Sequence, residues 1–479
     1  MEISRKKDRR LRLPVRSSLS FFAFFSVSRA SSLLTTPIFT RLLTPEEYAL
    51  TPLYYTWLSV FTTLATLELT GSILLSGLAR HKERSERYLA AATSLTLCSY
   101  SGVFLLYLLF HRRINALTGL PTHLMLLMFV QIGSGIVLSA VEARAKFFYS
   151  PKRALPSILS SALLSPVLGF ALVRSGVLRA EGRIVAAAIA AALVAIPSLF
   201  LLYKRGRVFF DQEVWREQLR RALPLFPHYL ALLTLAEVGR IFVGRFDAPD
   251  ALAKLGVAST LAHAIPLVGS AINAAFYPWL LRRVAVGEMQ KVREVTSIVV
   301  KVIVFSAASL ILISPEFYTI LAPKESYSEG LYATAPLICA SIFAFLYTIV
   351  AGVNLERVKT SRVALTTLIC ATACVLLTLP ATMRYGFLGS AFTTAISYIL
   401  LTVAHSLLLA RKIGRQNTPL SLLRTALTAS LLLPAAFFTY YLQELPLVRF
   451  LLLFVPVLLL LDLALSSKVL FENSTHLPA

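Results

Sequence analysis

Acidic residues are scarce. Only 24 Asp and Glu stand against 47 Lys and Arg in 479 residues, and charged residues of both signs make up 15% of the chain. That balance excludes a soluble multidomain protein. Cysteine is scarce too: the four residues, Cys98, Cys339, Cys370 and Cys374, all sit inside apolar stretches. No CxxC or Cys/His cluster exists, which argues against a disulfide framework or a metal site. There is no GxxxxGK[ST] loop, so ATP hydrolysis by this chain is not expected. HExxH and a Ser/His/Asp spacing are also missing, and no enzyme activity is expected. The net charge of +23 would fit a nucleic-acid partner in a soluble protein. Here the basic residues fall in gaps between apolar runs, so no nucleic acid is implied.

Those runs dominate the chain, with 57% hydrophobic residues. A bilayer core needs about 20 apolar residues per helix. Fourteen such stretches can be read, at about 18–40, 51–78, 88–110, 122–143, 154–173, 184–203, 222–244, 251–278, 296–314, 331–353, 363–381, 386–409, 423–441 and 446–466. The expected fold is all-α: a polytopic membrane protein. Threading from a cytoplasmic N-terminus puts 33 Lys and Arg on the cytoplasmic side and 10 outside. That bias is the positive-inside pattern. Both termini are then expected in the cytoplasm. Residues 1–17 read as a basic tail that orients the first span, not as a cleaved leader. The longest outside loops have about fifteen residues, too short for an intramembrane glycosyltransferase or polymerase.

The two halves echo each other. Arg41-Leu-Leu-Thr-Pro45-Glu46 joins spans one and two, and Arg245-Phe-Asp-Ala-Pro249-Asp250 joins spans seven and eight. Arg80 pairs with Arg283 at nearly the same offset, as does Arg179 before Gly182 with Arg384 before Gly386. A duplicated unit of six spans keeps its orientation, because six is even. The expectation is therefore two six-helix bundles in parallel pseudo-repeat, at 18–210 and 211–412, with two added helices in 413–479. Such repeats leave a cleft that opens to either side by rocking.

With this layout in view, the chain resembles the polysaccharide flippases of the multidrug/oligosaccharidyl-lipid/polysaccharide (MOP) exporter superfamily. The stretches that carry the resemblance are Arg41-Leu-Leu-Thr-Pro-Glu-Glu-Tyr48, Leu223-Pro-Leu-Phe-Pro-His-Tyr-Leu230, Gly239-Arg-Ile-Phe-Val-Gly244, Asn273-Ala-Ala-Phe-Tyr-Pro-Trp279 and Tyr385-Gly-Phe-Leu-Gly-Ser-Ala-Phe392. It covers about residues 18–412. Departures occur at Glu237, which is not directly before Arg240, at Ala253-Lys254-Leu255-Gly256, and at Glu68. The resemblance implies transfer of an undecaprenyl-diphosphate-linked oligosaccharide to the outer leaflet of a bacterial cytoplasmic membrane. It also implies membrane lipids, glycosyltransferases and a polysaccharide polymerase as partners. A peptidoglycan-precursor flippase and a multidrug or cation antiporter are the alternatives within the superfamily.

A charge near the bilayer centre is costly, roughly 2.5–3.5 kcal/mol on insertion scales, so it marks a cavity or a partner. Arg29 in span one and Glu68 in span two fall at similar depth and could pair. Glu237 and Arg240, three apart, share a face of span seven. Lys254 lies at a depth close to Arg240. Arg suits a diphosphate because its planar fork holds two phosphate oxygens at once. Arg29, Arg240 and Lys254 are therefore the expected substrate contacts, with Arg144 at the end of span four as an entry contact. Glu68 and Glu237 are the expected groups for proton or sodium coupling. No cofactor and no metal ligand set is expected.

Overall fold

The computed structural model describes residues 31–420 and 444–472, together with a few isolated residues between them. Among the described residues every regular element is helical. Among the described residues nine helices are long and apolar enough to cross a membrane, and the protein is a multi-pass membrane protein. The chain divides into two compact units, Met1–Ile241 and Phe242–Ala479.

The first unit begins with α1, described over residues 31–42. Next come α2 (Pro45–Thr66), α3 (Ser72–Arg80), α4 (Ser85–Thr118) and α5 (Thr122–Phe147). The fifth crossing is α6 (Leu155–Leu159), a π turn (Ser160–Leu164) and α7 (Ser165–Arg174). Then follow α8 (Gly182–Gly206), α9 (Gln212–Ala222) and α10 (Phe226–Phe246), whose last residues pass into the second unit.

Burial against lipid gives no drive to bring helices together, so shape and hydrogen bonds must do it. Tyr54, Trp57 and Phe61 of α2 pack with Tyr107 of α4 and Phe129 of α5. The Tyr54 hydroxyl donates to Gln131 Oε1 at 3.0 Å, and the Tyr100 hydroxyl donates to the Phe129 carbonyl at 3.0 Å. Small residues set the closest approach. A Cβ on Gly206 would stand 2.3 Å from that of Ala90, so α8 and α4 touch only because residue 206 is glycine.

Span two differs from the uninterrupted helix expected over 51–78. It breaks into α2 and α3, with Leu67 and Glu68 both left-handed at φ 49° and 56°. Irregular backbone at membrane depth persists only where protein or a polar cavity satisfies it. Here the Leu67 N–H donates to the Thr63 carbonyl at 3.1 Å, and the Leu69 N–H to the Thr66 carbonyl at 3.0 Å. Leu69 is buried with Ile73, Leu95 and Ala222.

The short helix α9 is polar on one side and fills a groove on α3 and α4 with the other. Val214 and Ala222 are buried, Trp215 Nε1 donates to the Ala91 carbonyl at 2.9 Å, and Gln218 Nε2 donates to the Tyr88 hydroxyl at 2.8 Å. Acids at its start and along it face basic residues around the start of α4. Glu217 meets Arg80 at 2.7 Å and His81 at 2.8 Å, and Asp211 meets Arg87 at 3.0 Å. Partial burial alone would push the Glu217 carboxyl up. The His81 hydrogen bond and the Arg80 charge outweigh it and hold the group below its ordinary value of 4.5. A depressed carboxylate stabilises the fold above its unfolded value and loses that contribution as pH falls through the folded value. Acidification below about pH 4.5 should therefore loosen α9, and Glu217→Gln should do so at neutral pH. Faster backbone hydrogen exchange confined to 212–222 is the expected reading; unchanged exchange in the variant would refute it.

The second unit contains α11 (Ala251–Ala262), α12 (Ala264–Ala285), α13 (Met289–Leu312), α14 (Ser314–Leu321), α15 (Leu331–Arg357), α16 (Thr360–Ile413) and α17 (Pro446–Glu472). The stretch expected at 251–278 is two helices meeting at His263. The expected span 423–441 lies outside the described residues. α15 is the centre of this unit, buried along nearly its whole length among α11, α12, α13 and α16. α16 is a hairpin. Gly386, at φ 57° and ψ −145°, divides it into a first arm ending at Tyr385 and a second arm starting at Phe387.

Each unit ties the same two loops together. In the first, Arg179 before α8 grips Glu47 of α2 at 2.6 and 3.0 Å. Glu47 also closes a capping box with Thr44, which fixes the start of α2. In the second, Asp247 after α10 accepts the Phe387 N–H at 2.6 Å and the Ala248 N–H at 2.8 Å. Both joints fall on loops that the sequence repeat pairs.

Candidate functional site

The residues expected to carry function are spread over both units, and their partners differ. Arg29 lies outside the described residues, so the expected Arg29–Glu68 pair does too. Glu68 stands in the break of span two, half-buried, with its N–H directed at Thr66 Oγ1 at 3.4 Å. A carboxylate stands there beside the negative end of the α2 dipole, a setting that favours a cation.

Glu237 and Arg240 do meet. Arg240 Nη1 donates to Glu237 Oε2 at 3.1 Å, one turn apart on α10. Glu237 is enclosed, with 11% of its side chain exposed, whereas 26% of Arg240 stays open. The pair is neutral as a unit, which lowers the cost of holding either charge inside a spanning helix. One guanidinium face remains available, because an i,i+3 pair engages only part of the five-donor fork.

Lys254, near the start of α11, is not a free cation. Its ammonium contacts Asp250 at 2.8 Å and Glu329 at 2.5 Å, and only 12% of its side chain is exposed. Two carboxylates around one amine leave net negative charge, so this centre is acidic where the sequence pointed to a basic one. Glu329 lies 75 residues away, and no local spacing could have shown it. Arg144 likewise has a partner: its guanidinium meets Glu86 of α4 at 2.5 Å and lies over the Phe148 ring at 5.3 Å. Glu142 accepts from the Ser157 hydroxyl at 2.9 Å and stands 3.8 Å from Lys146. His228, on α10, is buried beside Tyr229.

Two arginines at the edges of expected spans, Arg183 just before 184–203 and Arg449 near the start of 446–466, pack against protein groups. The Arg183 guanidinium lies over Phe39 at 4.4 Å and over Tyr48 at 5.5 Å. Arg449, 5% exposed, grips Glu316 of α14 with both nitrogens at 2.8 and 3.0 Å, and so fastens α17 to the second unit. Their aromatic and acidic partners lie on other helices.

Among the described residues no group of His, Cys, Asp or Glu is arranged to hold a metal ion. What the spanning residues offer is an arginine neutralised by a neighbouring carboxylate, and one carboxylate at a helix break. The fold is that of membrane flippases and exporters. It superimposes on the lipid II flippase MurJ in an inward closed conformation, with a TM-score of 0.65 at 15% identity over 96% of this chain and 100% of that one. An inward-facing multidrug resistance MATE family transporter of the MOP superfamily matches with a TM-score of 0.55 at 14% identity, over 84% of this chain and 95% of that one. The eukaryotic MATE transporter AtDTX14 matches with a TM-score of 0.52 at 16% identity, over 86% and 100%. No curated protein matches the chain in sequence. A family model does: residues 15–284, more than half of the chain, match the polysaccharide biosynthesis protein family, and the chain belongs to it.

Proposed function

We propose that this transporter moves an undecaprenyl-diphosphate-linked oligosaccharide from the cytoplasmic to the outer leaflet of a bacterial cytoplasmic membrane. It does so by alternating access, with both termini in the cytoplasm. The observation that carries the reading is Arg240: a half-open guanidinium on a spanning helix, neutralised by Glu237 at 3.1 Å. A diphosphate brings more negative charge than one carboxylate and fits the guanidinium fork. It displaces Glu237, and the released carboxylate then takes a proton or attracts a sodium ion. Substrate binding and ion binding are thereby linked through one side chain. Glu68 is the second coupling group. Arg29 adds a second contact to the diphosphate, and Arg144 receives the head group by exchanging Glu86 for phosphate. Lys254, held by two acids, sets the charge around α11. Glycosyltransferases that build the oligosaccharide and a polymerase that consumes it are the partners.

A peptidoglycan-precursor flippase is the second reading, favoured by the likeness in fold to the lipid II flippase. Both substrates share the diphosphate, so Arg240 serves either, and the sugar decides. A multidrug antiporter fits less well. An organic cation needs an available carboxylate, and Glu237 is occupied by Arg240. Proteoliposomes holding the purified protein separate the three. Undecaprenyl-diphosphate-linked oligosaccharide should become accessible to an added sugar-modifying enzyme. Movement of lipid II alone, or of an organic cation alone, would refute the proposal.

A further inference from the structure

A buried histidine in the second unit has no part in the diphosphate reading. His405 lies on the second arm of α16 and is fully enclosed, as are Asn354 of α15 and Thr367 of the first arm. Its Nε2 is 3.0 Å from Thr367 Oγ1. Its Nδ1 is 3.4 Å from Asn354 Nδ2, which also donates to the His405 carbonyl at 3.1 Å. That carbonyl can only accept, so it fixes which end of the Asn354 amide faces the histidine. The amide nitrogen is a donor, so Nδ1 is the accepting nitrogen and the ring proton sits on Nε2, directed at Thr367 Oγ1. Thr367 in turn donates to the Val363 carbonyl at 3.0 Å. The neutral ring is thus held in a single tautomer by two helices.

Asn354 Oδ1 is buried and accepts no hydrogen bond among the described residues. An idle acceptor in a core costs roughly 1–3 kcal/mol. It sits on the group that would have to respond if the histidine gained a proton. We propose that His405 is a proton-binding site, with Asn354 as the amide that turns to receive the proton. A proton from solvent arriving at Nδ1 sets two donors against each other. Turning the amide brings Oδ1 to the new N–H and gives up the bond to the His405 carbonyl. Protonation therefore exchanges a neutral tie between α15 and α16 for a charged one of different geometry. Loss of the proton to solvent restores the first state.

The place suits such a role. Asn354 lies three residues before the end of α15, and His405 eight residues before the end of α16. At 1.5 Å per residue these are about 4.5 and 12 Å from the Lys- and Arg-rich end of the unit. The route to water is short, yet the site is closed until those ends part. Among the described residues, the Tyr347 ring of α15 stands edge-on to the His405 ring at 5.1 Å, and Cys370 is buried one turn from Thr367 on the first arm.

The test reads protons and needs no substrate, so its failure is distinct from failure of the diphosphate reading. Full-length protein carrying nitrogen-15 histidine is placed in lipid nanodiscs and titrated from about pH 8 to about pH 5. His405→Gln identifies the signal among the seven histidines. At the alkaline end, a single proton on Nε2 is expected. On acidification Nδ1 should gain a proton reversibly, and the Asn354 side-chain amide signal should shift with it. In Asn354→Leu, which has no acceptor to offer, the singly protonated form should persist over the same range. A wild-type ring still singly protonated at the acid end of a folded sample would overturn the proposal. So would a ring that gains its proton equally well in Asn354→Leu. The wild-type titration stands by itself if that variant does not fold.

Discussion

Replacing Arg240 with alanine should strongly reduce surface polysaccharide, while the protein should still reach the membrane in normal amount. Charge-assisted hydrogen bonds contribute about 1.5–3 kcal/mol each, and 1.4 kcal/mol is tenfold in binding. Transport should therefore fall by about 10- to 100-fold for each hydrogen bond to phosphate that the substitution removes. Insertion should survive, because removing Arg240 takes a charge out of a spanning helix and leaves Glu237 able to accept a proton. Arg240→Lys should retain part of the activity, since it keeps the charge and loses the fork. Glu237→Gln should separate the two roles: the diphosphate should still bind, and the dependence of transport on an ion gradient should weaken to what Glu68 supplies. The measurement is polymer at the surface of a strain deleted for its own flippase, beside the amount of protein in the membrane fraction. Normal polymer with Arg240→Ala would end the assignment. Arg29→Ala carries the same expectation.

Gly386→Ala should produce a large loss of stability from a single methyl group. At φ 57° and ψ −145° the residue occupies a region that is essentially reserved for glycine. A Cβ there would stand 2.6 Å from Asp247 Oδ2, the oxygen that accepts the Phe387 N–H. The backbone strain costs about 1–3 kcal/mol. Driving Asp247 away then removes the cap from the second arm of α16, for about another 1 kcal/mol. Asp247→Ala isolates the second cost, because it removes the cap without forcing the backbone. The order of thermal unfolding in detergent should be wild type, then Asp247→Ala, then Gly386→Ala. Equal unfolding temperatures for Gly386→Ala and wild type would contradict this account of the hairpin.

Much of the architecture is legible in the chain because spanning helices are long and apolar, and their loops are sorted by charge. The expected spans 88–110, 122–143, 184–203 and 331–353 each fall inside one helix. Span two shows where such reading stops. Leu67-Glu68-Leu69-Thr70-Gly71 is as apolar on average as its surroundings, and only the geometry around Leu69 makes a break tolerable there. Glu237 and Arg240 are legible as a pair because three residues on a helix are neighbours by construction. For Lys254 the partner Asp250 is only four residues back, but the second, Glu329, reaches it from 75 residues away and makes the centre acidic. His405 gives only a weak signal, a lone polar residue in an apolar run.

The sequence by itself determined that this protein lies in a membrane, that it is helical, and where its charges accumulate. Those properties are set by the transfer of single side chains and by spacing along one helix, and both are local. The tertiary structure decided which charges are available. Arg144, Lys254 and Arg449 each found a carboxylate on another segment, and His405 found its amide across a helix boundary. A charge or a tautomer in a low-dielectric interior is governed by whatever lies within about 4 Å. That distance is closed by packing, and the order of residues does not record it.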